Sequence, residues 1–229
     1  MIVHHHPFLA PCRFVRLAIA EHAIAMDLVT EPFWEEREEF VAVNPGLVLP
    51  MAWDGNRGPL IGAAVLMEYL NERYGEARPG SALMPADPFA RAEVRRLVHW
   101  FLEKFEAEVS GPLANERLLK LEMPAKRGGG APDSSVLRVA RQNVTAHLHY
   151  LGALAGTRNW LAGDAFSYAD LAAAAALSVA DYLGEVKWDA DPAAKAWYQR
   201  IKSRPAFRPI LLDRARLVAP PAHYADLDF

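Results

Sequence analysis

The period of the apolar residues changes once along this chain, near Asp87, and that change limits the folds open to it. Before it, short elements alternate. A strand runs to about His6, a helix covers about Cys12 to Glu21, and a second strand lies around Met26 to Thr30, giving a βαβ opening. Pro45, Gly46 and Pro50 punctuate the chain ahead of Met51-Ala52-Trp53-Asp54. Asp54-Gly55-Asn56-Arg57-Gly58 then reads as a tight turn between two short strands. A helix from about Gly62 to Tyr74, closed by Gly75, completes a βαβ-ββα order, which is the order of a thioredoxin-like half.

After Asp87 the strand pattern stops. Val94, Leu97, Val98, Phe101, Leu102 and Phe105 recur at helical spacing, and Val136, Ala140, Val144, Leu148 and Leu151 take up the same period later. Lys126 to Asp133, with three successive glycines, reads as a loop between two long helices. The run Ala169 to Ala180 is too short to cross a bilayer, so it is expected to be a helix packed on nearly all sides. The fold class is therefore α+β, with a thioredoxin-like unit at 1–78, an all-helical unit at 86–219 and a tail at 220–229.

Charge and cysteine content exclude several functions. With 25 basic and 28 acidic residues the chain has no cationic excess to release counterions from a polyanion, so nucleic acid is not an expected partner. Cys12 is the one cysteine, which rules out an intrachain disulfide and a cysteine-based zinc site and suits a reducing cytoplasm. No secretory leader or membrane-length apolar run is evident, so no membrane insertion is expected. His4, His5 and His6 alternate along a strand and so face opposite sides, which argues for solvated or hydrogen-bonded histidines rather than a metal site.

Ser167, with Asp170 three residues on, has the spacing of a capping box at the head of the most apolar helix, and Phe166 and Leu171 are placed as a hydrophobic staple. Three further segments join this one in a pattern. They are Pro11-Cys12-Arg13-Phe14-Val15-Arg16-Leu17, Asn44-Pro45-Gly46-Leu47-Val48-Leu49-Pro50, and Leu60 to Leu70. Together they resemble the glutathione S-transferase family over almost the whole chain. The resemblance implies a cis peptide before Pro50, with the Leu49 backbone turned toward the cysteinyl part of glutathione.

The same resemblance marks where the site fails. A transferase stabilises a thiolate with a hydroxyl or thiol donor near its first helix. Here that position falls on Leu9, followed by Ala10 and Pro11, and none of the three side chains donates a hydrogen bond. Cys12 is the only neighbour with relevant chemistry, read either as a small apolar residue or as a nucleophile. Where the family opens its third helix with Glu or Gln and then Ser, this chain has Gly62 and Ala63. Each lost contact to a charged ligand costs roughly 1.5 to 3 kcal/mol, so glutathione binding is expected to be weak or absent.

Function is then expected on the surface. Among non-enzymatic members of the family, the pattern is most similar to those that bind filaments of the tubulin homologue FtsZ in bacterial cell division, which implies a cytoplasmic protein recruited to the division site. Family habit also implies a homodimer. Beyond Pro220-Pro221, the residues Tyr224, Asp226, Leu227, Asp228 and Phe229 are candidates for partner contact, an aromatic anchor beside orienting charges. Two further surfaces, Phe33 to Phe40 and a basic rim with Arg117, Lys120 and Lys126, read as solvated faces. The competing reading is a glutathione-dependent enzyme acting on small electrophiles.

Overall fold

The computed structural model describes residues 1–75 and 82–229. Its first half holds β1 (Ile2–His5), α1 (Ala10–Glu21), β2 (Asp27–Thr30), α2 (Glu38–Val43), β3 (Met51–Asp54), β4 (Arg57–Ile61) and α3 (Ala63–Tyr74). The strands form one sheet in the order β2-β1-β3-β4. β1 runs parallel to β2 and antiparallel to β3, and β3 pairs antiparallel with β4 across the turn at Gly55. This is the thioredoxin-like order that the alternating elements imply. The expected boundary at residue 78 lies outside the described residues.

The second half is helical. α4 (Pro88–His99) is followed without a break by residues 100–122, whose winding loosens into π-helical turns at Trp100–Lys104, Glu106–Ser110 and Asn115–Leu119. Then come α5 (Ser134–Thr157), α6 (Tyr168–Tyr182) and α7 (Pro192–Lys202). All four of these helices start where a short polar side chain accepts an orphan amide: Asp87 from Ala90, Asp133 from Ser135 and Val136, Ser167 from Ala169, and Asp191 from Ala194.

Every residue of α6 is buried, and α1 packs on it more extensively than any other pair of elements meets. Small side chains make this possible, because Ala172 to Ala176 let neighbouring backbones approach. The seam is also ionic. Arg13 is fully buried, donating to Pro7 O at 2.7 Å, Ser178 Oγ at 2.8 Å and Tyr224 OH at 3.2 Å. Arg16 forks onto Asp213 at 2.8 and 2.9 Å. The first half is thus tied to the helical half by side chains of α1, the helix whose start faces the candidate site.

A close approach fixes one glycine. A Cβ on Gly152 of α5 would land on the Asp191 carboxylate that caps α7, so the two helices meet only because residue 152 has no side chain.

Candidate functional site: a cleft at the head of α3

A cleft of about 420 Å³ opens where the start of α3 faces α4, and it gathers Pro11, Leu49, Gly62 and Ala63 into one wall. The Leu49–Pro50 peptide is cis, as the resemblance implies, and Pro50 O accepts the Gly62 amide at 2.9 Å, which sets the head of α3 against this turn. Gly62 has φ of +92°, a conformation that L side chains rarely adopt. The rest of the wall joins apolar Val48, Val65, Met67 and Leu102 to the ionisable side chains of Glu68, Arg95, His99 and Glu103, with Arg95 donating to Glu68 at 2.7 Å.

The expected activating position is closed by hydrocarbon. Leu9 packs against a small cluster of Cys12, Phe40, Leu49 and Met51, and Ala10 is fully buried. Leu9 precedes α1 without any side-chain hydrogen bond to the helix start. Cys12, read from the sequence as either a small apolar residue or a nucleophile, packs in a buried hydrophobic cluster as the first reading expects. It is completely buried, and burial pushes its thiol up to about 12 against a smaller downward pull from the His6 backbone. A protonated, buried thiol is a poor nucleophile at neutral pH.

Sequence reasoning missed Glu106. It sits in the second π-helical turn, close enough to Cys12 to raise that thiol further. The residue is half-buried but its carboxyl lies deep, and burial pushes it up to about 7 against the Ser110 hydroxyl that donates to it. The usable signal was its helical spacing from Leu102 and Val109, which turns an acidic side chain inward.

The histidine run also needs correction. His4 is partly exposed, but His5 shares the face of Val3 and is buried with its Nδ1 unpartnered. Burial first, then Arg16, His6 and Arg13, push it down to about 3. His6 is hydrogen-bonded, with Nε2 3.1 Å from Glu122. The basic rim is largely spent, since Arg117 pairs with Glu185 at 2.8 Å and Lys120 with Glu116 at 2.6 Å.

The tail departs from expectation in one residue. Tyr224 is fully buried, donating to Ile210 O at 3.2 Å and accepting from Arg13, so it anchors the tail to its own domain and is removed from the contact set. Phe229 lies back over Trp188 and Tyr198, with ring centroids 5.2 and 6.2 Å apart, and keeps partial exposure. Asp226, Leu227 and Asp228 face solvent.

A thioredoxin-like half carrying a cis-proline turn, joined to a helical half through a buried capping-box helix, defines the glutathione transferase class, and the comparisons agree. The model of the glutathione S-transferase C-terminal domain matches residues 120–205. This chain belongs to the glutathione S-transferase superfamily. Within it, the chain is 42% identical to FtsZ-localized protein A of Caulobacter vibrioides, an alignment covering 99% of this chain and 97% of that protein. The solved structure of FzlA from C. crescentus superposes with a TM-score of 0.89 at 41% identity, covering 100% of this chain and 99% of that one. A crystal structure described as a glutathione S-transferase from Sinorhizobium meliloti superposes with a TM-score of 0.97 at 52% identity, covering 100% and 99%. Among the described residues no helix is long and apolar enough to cross a membrane.

Proposed function

We propose that this chain is a non-enzymatic member of its superfamily that binds FtsZ filaments and regulates bacterial cytokinesis, acting in the cytoplasm at the division site. What supports the reading is full-length similarity to FtsZ-localized protein A in a chain that has Leu9 ahead of α1 where the resemblance expects a donor, and Gly62-Ala63 in the cleft where it expects a carboxylate and hydroxyl. The exposed residues Asp226, Leu227 and Asp228, with the rim of Phe229, form the proposed contact. A homodimer would present this contact twice, so that a weak single-site affinity is multiplied when both copies engage one filament or two. Glutathione binding in this reading is weak or absent.

The second reading is a glutathione-dependent enzyme, favoured by the open cleft and its cis-proline turn. Pelleting of the purified chain with FtsZ polymers, run beside a glutathione conjugation assay, separates the two. Co-pelleting without conjugation supports the first reading; conjugation without co-pelleting supports the second.

A further inference from the structure

The tail is held by a lysine that has no business inside a protein unless something there accepts its protons. Lys202 closes α7 with its side chain fully buried. Its ammonium donates to two tail carbonyls, Asp226 O at 2.6 Å and His223 O at 3.2 Å. It also stands 4.0 Å from the centroid of the Phe229 ring, a cation–π arrangement. Burial pulls this ammonium below the ordinary lysine range, opposed by Asp181 and Asp226.

The neighbours complete a latch. Asp181, also fully buried, accepts from Trp188 Nε1 at 2.8 Å and lies 3.0 Å from His223 Nε2. Gln199 Nε2 donates to Phe229 O at 2.9 Å. Both ends of the segment are therefore fixed from beneath, by polar atoms of α6 and α7. A carbonyl that accepts from Lys202 below leaves its residue's side chain to point elsewhere, and Asp226 is exposed. The Asp228 amide folds back onto Asp226 Oδ1 at 3.0 Å, so the two carboxylates and Leu227 between them form one turned ridge rather than a loose peptide.

We infer that Lys202 is a positioning residue for partner recognition: it holds residues 223–229 in the docked form, and the partner binds that ridge rather than a released tail. The inference rests on the proposed FtsZ-binding role of the tail. Its physical basis is the entropy of ordering. A segment already fixed on its own domain does not have to be ordered on binding, whereas a free tail does. Releasing the segment would also uncover Lys202 and the aromatic floor of Trp188 and Tyr198.

Three variants test it: Lys202→Met, which keeps the stem and removes the donor; Phe229→Ala, which removes the ring over Lys202 and leaves every side chain of α6 and α7 in place; and a truncation lacking residues 225–229. Hydrogen exchange at the amides of 224–228 reports docking, circular dichroism reports folding, and co-sedimentation with FtsZ polymers reports binding. Lys202→Met and Phe229→Ala are expected to speed exchange at the 226 and 228 amides by about tenfold or more and to weaken co-sedimentation in the same order as their exchange rates. Fast exchange with undiminished co-sedimentation overturns the inference while leaving the tail's role standing. Unchanged exchange in both variants overturns it as well, since the latch would then lie elsewhere. Truncation that leaves co-sedimentation intact sinks the tail's role itself, and the inference with it.

Discussion

Two helix starts lie inside this molecule, and they are built from opposite materials. At the head of α6, Ser167 and Asp170 form a full capping box, and the Asp170 carboxylate also takes the Leu161 amide at 3.0 Å and the Trp197 indole at 2.9 Å. At the head of α1, Leu9 offers no side-chain hydrogen bond and Cys12 sits dry beneath it. The contrast separates what folding requires from what chemistry requires. Polar groups persist where a buried helix would otherwise leave its amides unsatisfied, and the side chains that the resemblance sets beside a bound sulfur, Leu9, Ala10 and Pro11, carry no donor.

The largest test of that contrast is Asp170→Ala. It strands two buried backbone amides and an indole N–H together, so a loss of about 3 to 5 kcal/mol is expected in urea unfolding. A loss below about 1 kcal/mol would mean that the box is ornamental. Gly152→Ala comes next. The new methyl would displace the Asp191 cap, and overpacking plus a lost cap should cost about 2 to 3 kcal/mol by the same measurement.

A pH series probes the surroundings of α1, where Glu106 stands near Cys12 and His5 near Arg16. Glu106 is raised to about 7, so the folded state holds its proton more tightly than the unfolded chain does; its stabilisation is present below about 4.5 and is lost as pH rises toward 7. His5 is lowered to about 3, so the unfolded chain binds its proton more tightly; stability falls as pH drops below about 6.5. The two slopes oppose each other between those values. Glu106→Gln should remove the first, leaving stability that climbs with pH up to about 6.5 and a gain of about 3 kcal/mol at pH 8. An unchanged profile would show that Glu106 is not held deep in the protein.

Restoring one missing group gives a smaller effect. Ala63→Ser places a hydroxyl at the first residue of α3 without touching the positive φ of Gly62, and should tighten glutathione binding by about tenfold in calorimetry. Smallest of all, Cys12→Ala should leave any residual conjugation unchanged, and in the native chain the thiol should react with an aromatic disulfide reagent only as fast as the protein opens.

Much of the α6 side was legible in the sequence, because a capping box is a spacing rule within four residues and the small apolar run announces a helix packed on all sides. Asp87-Pro88 and Asp191-Pro192 carried the same kind of signal, since each joins a capping carboxylate to a proline at the first helical position. The expectation of a degenerate site came only through resemblance, because Leu9, Leu49 and Gly62 come from three separate segments and nothing local links them. The rest depended on packing at long range. His5 alternates as a strand residue should, but that its face is covered follows from where α1 lies. The π-helical turns at 100–119 leave no mark on apolar spacing. The tail's aromatic end reads as a free anchor until Lys202, 27 residues earlier, is seen to hold it.

The central claim is that this chain binds a filament and does not activate a thiol. FtsZ polymers pelleted with the purified chain, with and without millimolar glutathione and an electrophile, address it directly. The account predicts saturable co-pelleting that glutathione does not alter, with no conjugate formed. A chain that stays in the supernatant while turning over the electrophile would contradict it.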